Sequence, residues 1–462
     1  MKRRHHITAL LTLAFLFAAS RLWAYGEGVR FQAGEFPIFM HFLDPMLLEH
    51  DLLESSLYLH MNPPLFNLFL GGFLKLFGAA SFQVIQICYL LVSFAAGFLL
   101  YILIAALTSS AALSFLGASF FVLSPASVLW ENRIFYTTPL AFLLVLSAVL
   151  LRGALHTDRG SRWLAFFTCI AVLCGIAAMF NLVYVLLVIA VLWLGFGRSR
   201  AMLWGALPCI LFVGLLHCKN LLLFDIYSTS SWLGCNLSRV VLHQLQPSEK
   251  VLPGGEAVLP LPAFDQEMKV VEPAYSSECP YPEIAALCSR TKSTGQPNLN
   301  HYSMIPLCAA YLRQSLSVIL NSPEVYMRGL STAWRLYFAP AHKYPYFSQD
   351  QLIGAATSFF DRFILLTTAG GLSLTALLLF ILTVASIPLS LFIAERKMRA
   401  LLLFIGVTVL YVAAVGNALE VGENNRFRFT TDPLSTAAGL YAVARLIRLS
   451  KSRHEPKSRQ PT

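Results

Sequence analysis

The chain has 462 residues, 57% of them hydrophobic and only 13% charged, with a formal net charge of +10 and a mean hydropathy of +0.65. An ordinary soluble domain carries about 25% charged residues, and the apolar residues here come in runs of roughly 15 to 29, the scale of membrane helices. Backbone groups in lipid must be satisfied within helices or a closed barrel. Uninterrupted runs exclude the alternating strands of a barrel, so the expectation is an all-alpha polytopic membrane protein.

Expected spans in chain order are 8–24, 82–107, 111–130, 137–151, 163–179, 182–196, 201–217, 366–394, 400–416 and 432–447. The first follows Met1-Lys2-Arg3-Arg4-His5-His6 and is read as a retained anchor, with cleavage near Ala18-Ala19-Ser20 as the alternative. His5 and His6 read as part of a basic flank rather than a metal site.

The loop 25–81 holds the first polar chemistry, His41–Phe-Leu-Asp44-Pro-Met-Leu-Leu-Glu-His-Asp51 and then His60-Met-Asn-Pro63-Pro64-Leu65. Asp44 before Pro45 is either an Asx-type helix cap or a functional acid near apolar surroundings, and Asp51 is its rival. Pro64–Gly78 is apolar but short, interrupted by Gly71, Gly72 and Lys75, and is expected to lie along the membrane surface. Trp130-Glu131-Asn132-Arg133 places opposite charges in a turn between two spans.

The stretch 218–365 is too long for a bare connection. Its middle, Gln246–Pro297, reads as an irregular lobe, followed by helices over Asn300–Asn321 and Pro323–Phe338. Cys279 and Cys288 are a candidate disulfide pair. Asn236-Leu-Ser238 is a formal glycosylation sequon. Tyr275, Tyr281, Tyr302, Trp334 and Tyr337 are either sugar-stacking residues or interface anchors. After two more spans comes Glu420-Val-Gly-Glu423-Asn-Asn-Arg426-Phe-Arg428-Phe-Thr-Thr-Asp432-Pro433, expected as a loop. In extended backbone Arg426 and Arg428 would share one face and offer bidentate donors to a phosphate.

The segments 1–7, 152–162, 197–200, 395–399 and the tail carry 17 basic residues against Asp158, Glu395 and Glu455. That is the bias of cytoplasmic loops, so the net charge reports topology and gives no reason to invoke nucleic acid. The division expected is 1–217 as an N-terminal membrane module with a catalytic loop, 218–365 as an outer lobe with surface helices, and 366–462 as a C-terminal membrane module.

An acid after the first span, a His-x-x-Pro-Pro-Leu element, an acid-plus-arginine turn and a late Glu-x-Gly-Glu-x-x-Arg-Phe-Arg segment together resemble the GT-C superfamily of membrane glycosyltransferases. The nearest branch is that of protein O-mannosyltransferases and lipid A aminoarabinose transferases. The resemblance implies a GT-C-like helical bundle with outer juxtamembrane helices, acting on the periplasmic or lumenal face with a polyprenyl-phosphate sugar as donor and a lipid, glycan or protein as acceptor. It implies an aspartate base, carried over as Asp44 with Asp51 as substitute because Leu43-Asp44-Pro45 departs from the family pattern. Leaving-group chemistry calls for a cationic clamp, and Arg426, Arg428, Arg133 and Lys343 are its candidates, with Glu131, His60 and Glu423 in support. Inversion is expected, no cofactor is called for, and the lack of an Asp-x-Asp pair leaves metal out. A bacterial inner membrane suits the basic tail. The competing readings are a transporter or flippase of lipid-linked sugars, which would favour broken helices and internal repeats, and a scaffold, which would need none of the charged turns.

Overall fold

A computed structural model describes residues 2–34, 36, 41–246, 249, 257–259, 278–345, 347 and 354–454. Nineteen helices organise them, and the described residues contain isolated bridges but no strand. In chain order they are α1 (Lys2–Gly26), α2 (Pro45–His50), α3 (Leu52–Leu57), α4 (Leu65–Phe77), α5 (Ser81–Thr108), α6 (Ala111–Val122) and α7 (Pro125–Glu131). There follow α8 (Thr137–Thr157), α9 (Gly160–Ile176), α10 (Leu182–Phe196), α11 (Arg200–Phe224) and α12 (Leu233–Val241). The remainder are α13 (Ala285–Cys288), α14 (Met304–Asn321), α15 (Pro323–Tyr337), α16 (Gly354–Phe359), α17 (Leu374–Leu391), α18 (Arg396–Leu419) and α19 (Asn424–His454).

By length and composition six helices qualify as membrane spans, or seven if the bent pair α6–α7 is one. Ten were expected. The difference is physical: α9 and α10 have only 17 and 15 residues, and α19 carries Arg426, Arg428 and Asp432 in its first turns. The expected span 111–130 is broken, because Ser124 caps a new helix with Pro125 in its first turn; proline has no N–H to continue the ladder of α6. The two pieces meet at 54°. The expected span 366–394 starts late, since Thr368–Gly371 forms a tight turn and α17 begins only after Ser373.

The helix ends sort into two faces. One face gathers 106–109, 152–156, 393–401 and 441–448 around a common pocket, with His5 and His6 beside Ser109. The other holds 41–62, 131–136, 177–181, 225–241 and 420–426, and is called the lobe face. α4 continues into α5 with only a short 3-10 turn between, but 44 residues of helix rise about 66 Å, over twice a bilayer core of about 30 Å. The chain turns at Gly78, where φ is +50°. Leu65, at the start of α4, packs against Gly175 at the end of α9. Both ends of α4 therefore meet lobe-face ends of spans.

The lobe itself rests on α12, clamped between α14 and α15. A Cβ at Gly234 would lie 1.7 Å from the Cys308 carbonyl oxygen, and one at Gly329 would lie 1.8 Å from that of Val240. Glycine alone permits this approach. Cys235 and Cys308 bond α12 to α14, and the candidate pair Cys279 and Cys288 is bonded. Of the expected irregular middle, most lies outside the described residues, as does Tyr275. Asn236 and Ser238 sit within α12, and Ser238 is buried.

Candidate functional site

Between α8, the 177–181 turn, α12 and the α18–α19 junction lies a cavity of about 270 Å³. Part of its lining is apolar: Leu140, Val415 and Leu419 at the lobe-face ends of α8 and α18, and Met179 in the 177–181 turn. The polar lining is His41 and Asn62 from the first loop, Asn236 and Arg239 from α12, and Glu420, Glu423 and Arg426.

The α18–α19 junction is much shorter than the expected loop. Gly422 adopts φ +120°, and Asn424 closes the turn by accepting from the Gly422 N–H at 3.0 Å and donating to Glu420 O at 2.9 Å. Helix then starts at once. This corrects the extended reading of Arg426 and Arg428, because residues two apart on a helix point about 200° apart at 3.6 per turn. Arg426 faces the cavity. Arg428 faces away, donating to Ala339 O at 3.1 Å with Asp432 at 3.8 Å.

Arg426 is buried and makes a direct ion pair with Glu423, whose other oxygen accepts from the Tyr344 hydroxyl. Its guanidinium lies 4.6 Å from the Phe135 ring centre and 4.7 Å from that of Phe427. Burial would raise the Glu423 carboxyl, but the Arg426 charge and the Tyr344 hydrogen bond outweigh it and hold it at about 2. Glu420 differs. Burial, reinforced by the negative charge of Glu423, pushes its carboxyl up to about 7 against the pull of Arg239. Arg239 Nη1 stands 3.6 Å from Glu420 Oε1, and that oxygen has no hydrogen bond among the described residues. Half-buried His41 accepts at Nδ1 from the Asn62 amide at 2.9 Å, and burial holds its ring down at about 4.

The remaining expected site residues are elsewhere. Asp44 caps α2, accepting from Met46 N at 3.0 Å and from Ser293 N at 2.6 Å, so it ties the first loop to the lobe. Asp51 is exposed between α2 and α3. Neither lines the cavity. His60 is buried between Ser231 Oγ (2.7 Å) and Asn300 O (2.9 Å), and burial keeps its ring neutral, near 3. Glu131 pairs with Arg21 of α1, both oxygens at 2.7 Å, rather than with Arg133 in its own turn. Arg133 is buried over the Tyr344 and Phe347 rings, and Lys343 is half exposed and paired with Asp361 at 2.7 Å.

Of the expected set, then, the cavity brings together Glu423 and Arg426. Glu420 lies in the same Glu-x-Gly-Glu segment, and its place directly after an apolar span is the signal the sequence holds for it. Arg239 carried no local signal; only the folding of α12 across the helix ends brings it to Glu420. Among the described residues no group of three or more His, Cys, Asp or Glu is arranged to hold a metal ion.

No protein-family model matches the chain, and no curated protein matches it. The chain is similar to the crystal structure of the Archaeoglobus fulgidus oligosaccharyltransferase in the apo form, at 12% identity and a TM-score of 0.40, over 99% of this chain and 53% of that one. It spans about half the length of that protein.

Proposed function

We propose that the chain is a membrane glycosyltransferase of GT-C type, moving a sugar from a polyprenyl-phosphate donor to an acceptor in the lobe-face cavity. One observation carries the reading: one cavity brings an apolar lining together with two arginines and two glutamates of unlike protonation. A prenyl chain suits the apolar lining, and a phosphate suits Arg239 and Arg426. In the proposed step the acceptor loses its proton to Glu420, the acceptor atom bonds the anomeric carbon, and the bond to the phosphate oxygen breaks with its electron pair. The arginines meet the charge that develops on the phosphate. A carboxyl near 7 is poised to take a proton at neutral pH, whereas Glu423, committed to Arg426 and Tyr344, positions the clamp. A single base beside the cavity favours inversion over a double displacement with paired carboxylates. The two disulfides and the 17-to-3 basic bias of the sequence segments read as cytoplasmic support an outward-facing lobe in an oxidising compartment, such as a bacterial periplasm.

Asp44 is the rival base, and one experiment separates the two. Lipid-linked sugars are profiled by mass spectrometry in cells carrying wild type, Glu420→Gln, Asp44→Asn or a deletion. Accumulation of a polyprenyl-phosphate sugar in the deletion and Glu420→Gln cells, with a normal profile for Asp44→Asn, is expected. Accumulation with Asp44→Asn alone transfers the role to Asp44. An unchanged profile in the deletion overturns the transferase reading in favour of none of these residues.

A further inference from the structure

The face opposite the lobe carries a second pocket of about 400 Å³, walled by the α5–α6 turn, the end of α8, the α17–α18 turn and α19. Three cations from distant parts of the chain line it, Arg152, Lys397 and Arg448, with His156 beside them and Glu395 as the acid among the lining residues. Arg448 donates to the Thr108 carbonyl at the end of α5, and Lys397 Nζ lies 3.5 Å from the His156 carbonyl near the end of α8. These contacts complement the negative ends of two helices. They leave most of the donors unused, and Arg152 makes no hydrogen bond or ion pair among the described residues. The pocket also receives the start of α18, whose cap residue Glu395 makes no side-chain hydrogen bond to the first turn, so backbone N–H groups add to the positive field.

We propose that this pocket binds the phosphate of an anionic phospholipid headgroup. Cations converging on one cavity at the end of a helix bundle, with Leu155, Leu401 and Ile393 in the same wall, match a phosphodiester with acyl chains lying along the spans. Dispersed basic residues that merely set topology would need neither a shared cavity nor convergence from three separate helices. Soluble phosphate offers the same chemistry without the chains, and the test separates the two sources.

The full chain is purified and its retained lipid measured by native mass spectrometry after exchange into mixtures of phosphatidylglycerol and phosphatidylcholine. The variants are Arg152→Gln/Arg448→Gln and, as a control on the same face but outside the pocket, Arg198→Gln, whose guanidinium stacks on Trp193. Wild type and the control should retain phosphatidylglycerol preferentially, and the double variant should lose that preference by on the order of tenfold. Inorganic phosphate is titrated in parallel by phosphorus NMR. Saturable broadening by wild type but not by the double variant, without a lipid preference, supports the phosphate site and assigns it to a soluble anion. Equal retention by the double variant and wild type, with equal melting temperatures, overturns the proposal. So does an equal loss in the control.

Discussion

The two ends of the helix bundle handle charge in opposite ways. In the lobe-face cavity each cation has an acid, Arg426 with Glu423 and Arg239 with Glu420. In the opposite pocket three cations share a wall with one acid. The difference follows from burial. A charge removed from water carries a penalty of several kcal/mol unless it is paired, and Glu420, Glu423 and Arg426 lie largely out of solvent. Arg448 and His156 are exposed, so water meets the cost there and positive charge can accumulate. The lobe-face cavity thus keeps its buried charges in pairs, whereas the other face leaves an excess of cations at an exposed surface.

The comparison is sharpened first at Glu420. Glu420→Gln should lower transfer by about 10²–10⁴, the usual effect of removing a general base, measured in vesicles with a polyprenyl-phosphate sugar. Wild-type turnover should rise with pH through about 7 as the carboxyl loses its proton, and the residual activity of the variant should lack that rise. Stability runs the other way. Because the folded protein holds this proton above the ordinary value of 4.5, it binds more protons than the unfolded chain between about 4.5 and 7, and stability falls as pH rises across that window. Melting temperatures in detergent should show this slope reduced in Glu420→Gln. A variant with wild-type turnover removes the base from the account.

Breaking a pair in the cavity comes next. Arg426→Ala leaves Glu423 buried without its partner and should cost about 3–5 kcal/mol, read as a lowered denaturation midpoint, with part of the loss recovered in Arg426→Met/Glu423→Leu. The third test is the bond that holds α12, and with it Arg239, over the cavity. Cys235→Ser opens a loop with a sequence separation of 73 residues and should cost about 2–4 kcal/mol. If Arg239 is delivered by this staple, donor affinity should fall with it.

Smaller effects belong to the residues with structural roles. Asp44→Ala removes a helix cap and its link to Ser293, worth about 1 kcal/mol, while Asp44→Asn should cost only a few tenths because the amide still caps. Arg152→Gln, on the wet face, should shift stability by less than about 0.5 kcal/mol while weakening lipid retention. A loss of stability there as large as at Arg426 would erase the contrast between the two ends.

Local sequence determined the helical nature of the chain, since long apolar runs in lipid leave the backbone no other way to satisfy itself. It also determined which segments face together: basic flanks marked one end, and the Pro-Pro-Leu and Glu-x-Gly-Glu segments marked the other. Helices α14 and α15 were legible from periodicity within one or a few residues of their starts and ends. Three things were not. Whether Asp44 or Asp51 points into a site depends on what their side chains meet, and Ser293 lies 249 residues from Asp44. Whether Arg426 and Arg428 act together depends on where α19 begins, which a single turn at Gly422 and Asn424 decides. The pairing of Glu420 with Arg239 exists only because α12, held by Cys235 and by glycines at its crossings, is laid across the ends of the spans. Spans and faces are written in the average polarity of a dozen or more neighbours. A site is written in the direction of single side chains, and long-range packing sets those directions.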